Sequence, residues 1–189
     1  MKKLIIKCQL IDRADFECRA AEIGLEFGST IWQHERIYVP SDYRPNMNHP
    51  RMILRTEVRQ TNQPANYTMF LKRHIEDSGV DIVHKTAVGD YTEATEMIHQ
   101  LGFRKAAEVS RQRQELALDE HTKMCLDIVE GLAGSFLKIE AELAENVAVE
   151  ALRREVFRTL ELFGQETFIM QTYADLMTEQ MQPYYLPEY

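Results

Sequence analysis

Apolar and polar side chains alternate from the start of the chain: Leu4, Ile6, Cys8 and Leu10 fall on one side, and Lys3, Ile5, Lys7 and Gln9 on the other. A period of two marks a strand with two unlike faces. The period then lengthens. Phe16, Ala20, Ile23 and Phe27 recur at helical spacing behind Asp12, a fitting N-cap, which predicts a helix over 12–27 ended by Gly28. Alternation returns downstream, where Met52, Leu54, Thr56 and Val58 oppose Arg51, Ile53, Arg55, Glu57 and Arg59. It recurs in Tyr67, Met69 and Leu71 against Thr68, Phe70 and Lys72, and in Leu137, Ile139, Ala141 and Leu143 against Phe136, Lys138, Glu140 and Glu142. Further strands are expected at about 32–39, 80–88, 107–118 and 123–130, with a helix over 91–101 that Gly102 closes as C-cap. Amphipathic segments at 146–163 and 166–177 predict two last helices, and the stripe Leu152, Val156, Leu160 and Phe163 in the first of them reads as core.

About eight strands and four helices result, with loops at 40–50 and 61–65. No internal repeat or Gly/Ser/Pro-rich linker divides the chain, so one domain over 1–189 is expected, with helices at about 146–177 and a tail at 178–189. Such strands suit an α+β fold with antiparallel sheet. The sheet either turns its charged face to bulk water or closes on itself, apolar outward under the helices and polar inward around a ligand. An antiparallel eight-stranded closed barrel with flanking helices is the expectation carried forward.

The charge distribution favours the closed form. On the polar faces Lys3, Lys7, Arg55, Arg59, Lys72, Arg111, Arg113 and Lys138 outnumber Glu57, Asp127, Glu140 and Glu142, although the 189-residue chain carries a net charge of −8. A focused positive field inside an acidic protein fits a small polyanion. The overall charge argues against general nucleic-acid binding. No apolar run is long enough for a bilayer span or a secretion signal, and the three cysteines show no paired spacing, so reduced thiols and a cytoplasmic location are expected. The six histidines lack the local pairs of a zinc site. Neither a Gly-x-x-x-x-Gly-Lys loop nor a Gly-x-Gly-x-x-Gly turn is present, which leaves phosphate recognition to side chains. Trp32 is expected in the core, and Tyr184, Tyr185 and Tyr189 in a frayed tail.

Several segments together resemble the CYTH superfamily of triphosphate-tunnel proteins, and most closely its class IV adenylate cyclase branch. They are Lys3 to Lys7, Ile53-Leu54-Arg55, Tyr67 to Lys72, Leu101-Gly102-Phe103, Arg111-Gln112-Arg113, Leu126 to Leu132 leading into Gly134-Ser135-Phe136, and Tyr173 to Met177. The resemblance implies a tunnel of eight antiparallel strands that holds a triphosphate with basic residues and places divalent metal with acidic ones. Carried onto this chain, the phosphate-binding set is Lys3, Lys7, Arg55, Arg59, Lys72, Arg111, Arg113 and Lys138. Lys7 and Asp127 take the catalytic positions, and Asp127, Glu140 and Glu142 become ligands for Mg²⁺ or Mn²⁺.

The chain departs from that pattern at defined places. The family's opening Glu-x-Glu-x-Lys reads Lys3, Ile5 and Lys7; its Asp-x-Tyr reads Arg36-Ile37-Tyr38; the second Arg of Leu-Arg-x-Arg falls on Glu57; and the fifth strand carries His84 and Lys85 in place of an Arg-x-Glu-x-Glu run. His84 could point inward in place of a missing family residue. Two functions stay open. One is a nucleoside-triphosphate tunnel that converts ATP to cyclic AMP and pyrophosphate, with a triphosphatase as a further variant. The other is a non-catalytic nucleotide or polyphosphate receptor in which Lys3, Arg36 and Lys138 neutralise phosphate where a metal would. Either way the partner is a small phosphorylated ligand, and a homodimer stays open.

Overall fold

Each segment with a period of two forms a strand, and each strand finds its neighbours with the apolar side out. The computed structural model describes residues 1–44, 49–59, 63–75, 79–144, 147–165, 167–169 and 171–181. The elements are β1 (Lys2–Leu10), α1 (Arg13–Glu22), β2 (Ile31–Pro40), β3 (Arg51–Val58), β4 (Asn66–Ile75), β5 (Val80–Val88), α2 (Tyr91–Gln100), β6 (Phe103–Ala117), β7 (Thr122–Val129), β8 (Ser135–Glu142), α3 (Val149–Glu161) and α4 (Tyr173–Met181). The strands close into one antiparallel barrel in the order β1-β5-β4-β3-β2-β6-β7-β8. This is the expected barrel with four helices. The open sheet is excluded.

Most of the hydrophobic core lies outside the barrel wall, beneath the helices. Leu4, Ile6, Cys8 and Leu10 of β1, with Met124, Leu126, Leu137 and Ile139, pack against Phe16 and Ala20 of α1 and Val156 and Leu160 of α3. On another flank Ala94 and Ile98 of α2 cover Tyr38, Met52 and Leu54. Asp12 and Asp90 cap α1 and α2, each accepting bonds from the backbone N–H groups two and three residues on. The stripe of α3 is core as its spacing predicts: Val156, Leu160 and Phe163 are buried. Because Leu160 has no exposed surface, Leu160→Ala is expected to cost about 2–5 kcal/mol, read as a lowered midpoint in urea unfolding.

Two helix boundaries differ from the periodic reading. α1 stops at Glu22, because Gly24 takes a φ of 73° that ends the helix early, and Leu25 and Phe27 pack on the core as irregular chain. The segment expected to be helical from 166 does not become so until Tyr173. There Thr172 and Asp175 form a reciprocal cap, the Thr172 hydroxyl accepting from the Asp175 N–H at 3.2 Å and the Asp175 carboxylate from the Thr172 N–H at 3.0 Å. The loop readings at 40–50 and 61–65 lie partly outside the described residues; of the tail expected at 178–189, residues 178–181 instead continue α4, and 182–189 lie outside the described residues.

The seam between β1 and β5 determines what enters the barrel. These strands pair over only Lys2–Leu4 and Val80–Ile82. Farther along β1 the free edge is met by the C-terminal segment: the Ile169 N–H donates to the Lys7 carbonyl at 2.8 Å in an antiparallel bridge. That bridge leads α4 to the barrel interior. Tyr173 lies there with Ile37, Ile53, Phe70, Val83, Val109, Val129 and Phe136.

Candidate functional site

The inward faces of the strands divide the interior into two chemically different parts. The first is a cavity of about 110 Å³ lined by Ile5, Lys7, Glu35, Ile37, Arg51, Ile53, Arg55, Lys72, Val109, Arg111 and Lys138, and by Thr172, Tyr173 and Ala174 at the start of α4. Six cations thus face one carboxylate. Glu35 is fully engaged: Arg111 donates through Nη2 at 2.6 Å and Nη1 at 3.3 Å, and Arg55 through Nε at 2.7 Å. Burial works to raise its pKa, yet the two guanidiniums overcome burial and hold it well below the ordinary carboxylate range.

Two of the three cavity lysines, Lys7 and Lys72, are poorly compensated. The Lys7 ammonium donates to the backbone carbonyls of Ile169, at 3.4 Å, and Gln171. Among the described residues no carboxylate pairs with Lys7 or Lys72 within 4 Å. Burial, reinforced by the Lys138 charge, lowers the Lys7 pKa to about 8. Burial also lowers Lys72 to about 8, against the pull of Glu35 and Glu140.

This depression has a measurable consequence for the ligand-free protein. Between pH 8 and 10.5 the unfolded chain keeps both lysines protonated while the folded chain releases them, so folding stability should rise with pH across that window. Chemical denaturation at a series of pH values checks it. A midpoint that falls steadily above pH 8 would contradict the burial of these ammonium groups.

The second part is a mesh of ion pairs. Arg113, 1% exposed, donates to both oxygens of Asp127 at 2.6 Å, and the Tyr173 hydroxyl donates to the same carboxylate at 2.8 Å. Burial opposes ionisation of Asp127, but the Arg113 charge dominates and keeps it far below its usual value. Lys138 pairs with Glu140 at 2.5 Å, and Lys123 with Glu115 at 2.9 Å and Glu140 at 3.7 Å. Lys3 bridges Glu140 at 3.9 Å and Glu142 at 3.4 Å. Lys3, Arg113, Lys123 and Lys138 therefore balance Glu115, Asp127, Glu140 and Glu142. One atom in the mesh is unsatisfied: Arg113 Nη1 is buried without a hydrogen-bond partner, 3.6 Å from Glu115 and 3.6 Å from Glu140.

Of the residues selected by sequence, Lys7, Arg55, Lys72, Arg111 and Lys138 surround the cavity, and Lys3, Arg113, Asp127, Glu140 and Glu142 join the mesh. Arg59 does not reach either part; it lies exposed just past β3, paired with Glu57 at 2.8 Å. Arg36 and His84 are also elsewhere. Arg36 binds Glu108 at 3.0 Å and lies over the Tyr91 ring, and His84 is exposed. Trp32, expected in the core, is 56% exposed on the outer wall, because its neighbour Gln33 takes the inward position of β2. Sequence reading missed Glu35, Arg51, Glu115 and Lys123. Splitting β2 into its two faces would have found Glu35, in phase with the inward Gln33 and Ile37.

Metal-bound phosphate chemistry needs carboxylate oxygens free to coordinate. Here both Asp127 oxygens are taken by hydrogen bonds, and Glu140 has Lys3, Arg113, Lys123 and Lys138 within 4 Å. The unsatisfied group of the mesh, Arg113 Nη1, is a donor and not an acceptor. The donor set does not fit a resident divalent ion. Among the described residues no three His, Cys, Asp or Glu side chains form a group that could hold one.

Similar folds are found among solved structures. The PH1819 protein of Pyrococcus horikoshii OT3 matches with a TM-score of 0.81 at 19% identity, over 94% of this chain and 99% of its own. An adenylate cyclase candidate from Vibrio parahaemolyticus matches with a TM-score of 0.77 at 13% identity, over 93% and 97%. An adenylyl cyclase candidate from Hippeastrum, described with a dominant triphosphatase activity, matches with a TM-score of 0.62 at 13% identity, over 97% and 98%. Among curated proteins no sequence match is found. Among the described residues no helix is long and apolar enough to cross a membrane. The sequence model of the CYTH domain matches residues 1–173, which hold all eight strands of the barrel and run to the first residue of α4, and the chain accordingly belongs to the CYTH domain family.

Proposed function

We propose that the basic cavity binds the phosphate group of a small phosphorylated ligand, and that binding rather than turnover is what this site is built for. The observation that carries this reading is the lining itself: six cations against one carboxylate that two guanidiniums already neutralise. An anion would offset the desolvation that depresses Lys7 and Lys72. The cavity is small. At about 110 Å³ it is well below the roughly 300–1,000 Å³ typical of sites for drug-sized ligands, so it suits a phosphate or diphosphate head while α4 stays in place.

The names of the Vibrio and Hippeastrum neighbours support a second reading, catalysis on a nucleoside triphosphate as a cyclase or triphosphatase. It requires Asp127 to leave Arg113 and Tyr173, and a larger opening beside α4. Titration calorimetry with sodium tripolyphosphate and with ATP, followed by chromatography of the nucleotide, separates the two. Saturable binding with intact ATP is the expected result. Cyclic AMP with pyrophosphate, or ADP with phosphate, would move the site to catalysis; failure of both anions to bind would remove the phosphate reading.

A further inference from the structure

We propose that this tunnel receives its anion without a divalent metal, the Lys3, Lys123 and Lys138 ammonium groups and the Arg113 guanidinium supplying the positive charge among the tunnel carboxylates that a metal would otherwise bring. The inference rests on the phosphate-binding reading above and narrows its ligand to a metal-free phosphate or short condensed phosphate.

Three observations converge on it. Lys3 sits between Glu140 and Glu142, so its ammonium fills the place between the two carboxylates nearest the end of β8. The mesh is already neutral, four cations to four carboxylates, and a divalent ion added to it would leave an uncompensated double charge beside a cavity that adds five more cations to the shared Lys138. The unsatisfied buried atom of the mesh, Arg113 Nη1, is an N–H donor 3.6 Å from Glu115 and Glu140, and among the described residues no buried carboxylate oxygen is left without a partner for a metal to claim.

The proposal also fixes how added metal should act on binding. Mg²⁺ lowers the negative charge of a condensed phosphate in solution, so it should weaken capture by a fixed set of ammonium and guanidinium groups. A site that shares its metal with the ligand behaves in the opposite way.

The test uses the whole chain and two probes. Sodium tripolyphosphate is titrated by calorimetry in a chelator and again in millimolar Mg²⁺, and Mn²⁺ alone is titrated by electron paramagnetic resonance. Expected are saturable tripolyphosphate binding in chelator, weakening in Mg²⁺, and no saturable Mn²⁺ binding. Lys3→Glu, with its fold verified by circular dichroism, is expected to gain a Mn²⁺ site that a second change, Glu140→Gln, removes. Tripolyphosphate binding that appears only with metal overturns the proposal, as does Mn²⁺ binding by the natural chain that Glu140→Gln abolishes. Lys3→Glu folded but blind to Mn²⁺ overturns the assignment to Lys3. If tripolyphosphate fails to bind under both conditions, the phosphate reading falls, and the Mn²⁺ titration still decides whether the carboxylates are closed to metal.

Discussion

Changing Lys7 and Lys72 together to Met is expected to weaken tripolyphosphate binding by more than two orders of magnitude while leaving the fold at least as stable. Each ammonium lost from the cavity removes a charge-assisted contact worth about 1.5–3 kcal/mol, and two such losses sum to about 3–6 kcal/mol. Stability moves the other way because neither lysine has a carboxylate partner to leave stranded among the described residues, and both are strained by burial when charged. The Met side chains keep the length and remove the desolvated charge. Calorimetry and thermal unfolding on the same samples provide the check. Unchanged affinity would place the anion elsewhere. A collapsed fold would mean that the bonds from Lys7 to the Ile169 and Gln171 carbonyls are essential to the C-terminal segment.

Arg113 should behave in the reverse sense. Arg113→Met leaves the Asp127 carboxylate wholly buried with only the Tyr173 hydroxyl, and breaking such a pair costs about 3–5 kcal/mol. The double change Arg113→Met with Asp127→Leu removes both charges and is expected to recover most of that loss, since well-packed apolar pairs replace buried ion pairs at little or no cost. Urea unfolding of the natural chain, both single variants and the double variant completes a cycle that isolates the pair energy. A coupling below about 1 kcal/mol would class Arg113 with surface ion pairs. For the same reason, Arg111→Ala and Arg113→Ala are poor tests of phosphate binding, because they destabilise the barrel before they inform on the ligand.

What the sequence revealed depended on how local the signal was. The strict alternation of Leu4, Ile6, Cys8 and Leu10 against Lys3, Ile5 and Lys7 identified both wall faces correctly, because a period of two needs only adjacent residues. Five of the six cavity cations, all but Arg51, were visible for the same reason. Their compensation was not. Which guanidinium pairs with Glu35, and that Lys3 bridges Glu140 and Glu142, follow from strand register across the barrel, which no single segment encodes. The insertion of Tyr173 was hidden in the same way. Its bond to Asp127 joins distant positions, and the helical spacing after residue 165 masked the extended Ile169 that steers it inward. Trp32 shows the limit of composition: a large aromatic on a regular strand can still lie on the outside of a closed wall.

The sparse pairing of β1 with β5 also bears on how the protein is made. β1 emerges from the ribosome first, yet its long partner β8 and its bridge to Ile169 follow more than a hundred residues later. At about 5–20 residues per second, its apolar face waits on the order of ten seconds for the strands and helices that cover it. Contacts this distant in sequence also make closure slow. Until then the uncovered face of β1 is the part of the chain most open to aggregation, and the bridge to Ile169 can close only after β8 has paired along the other edge.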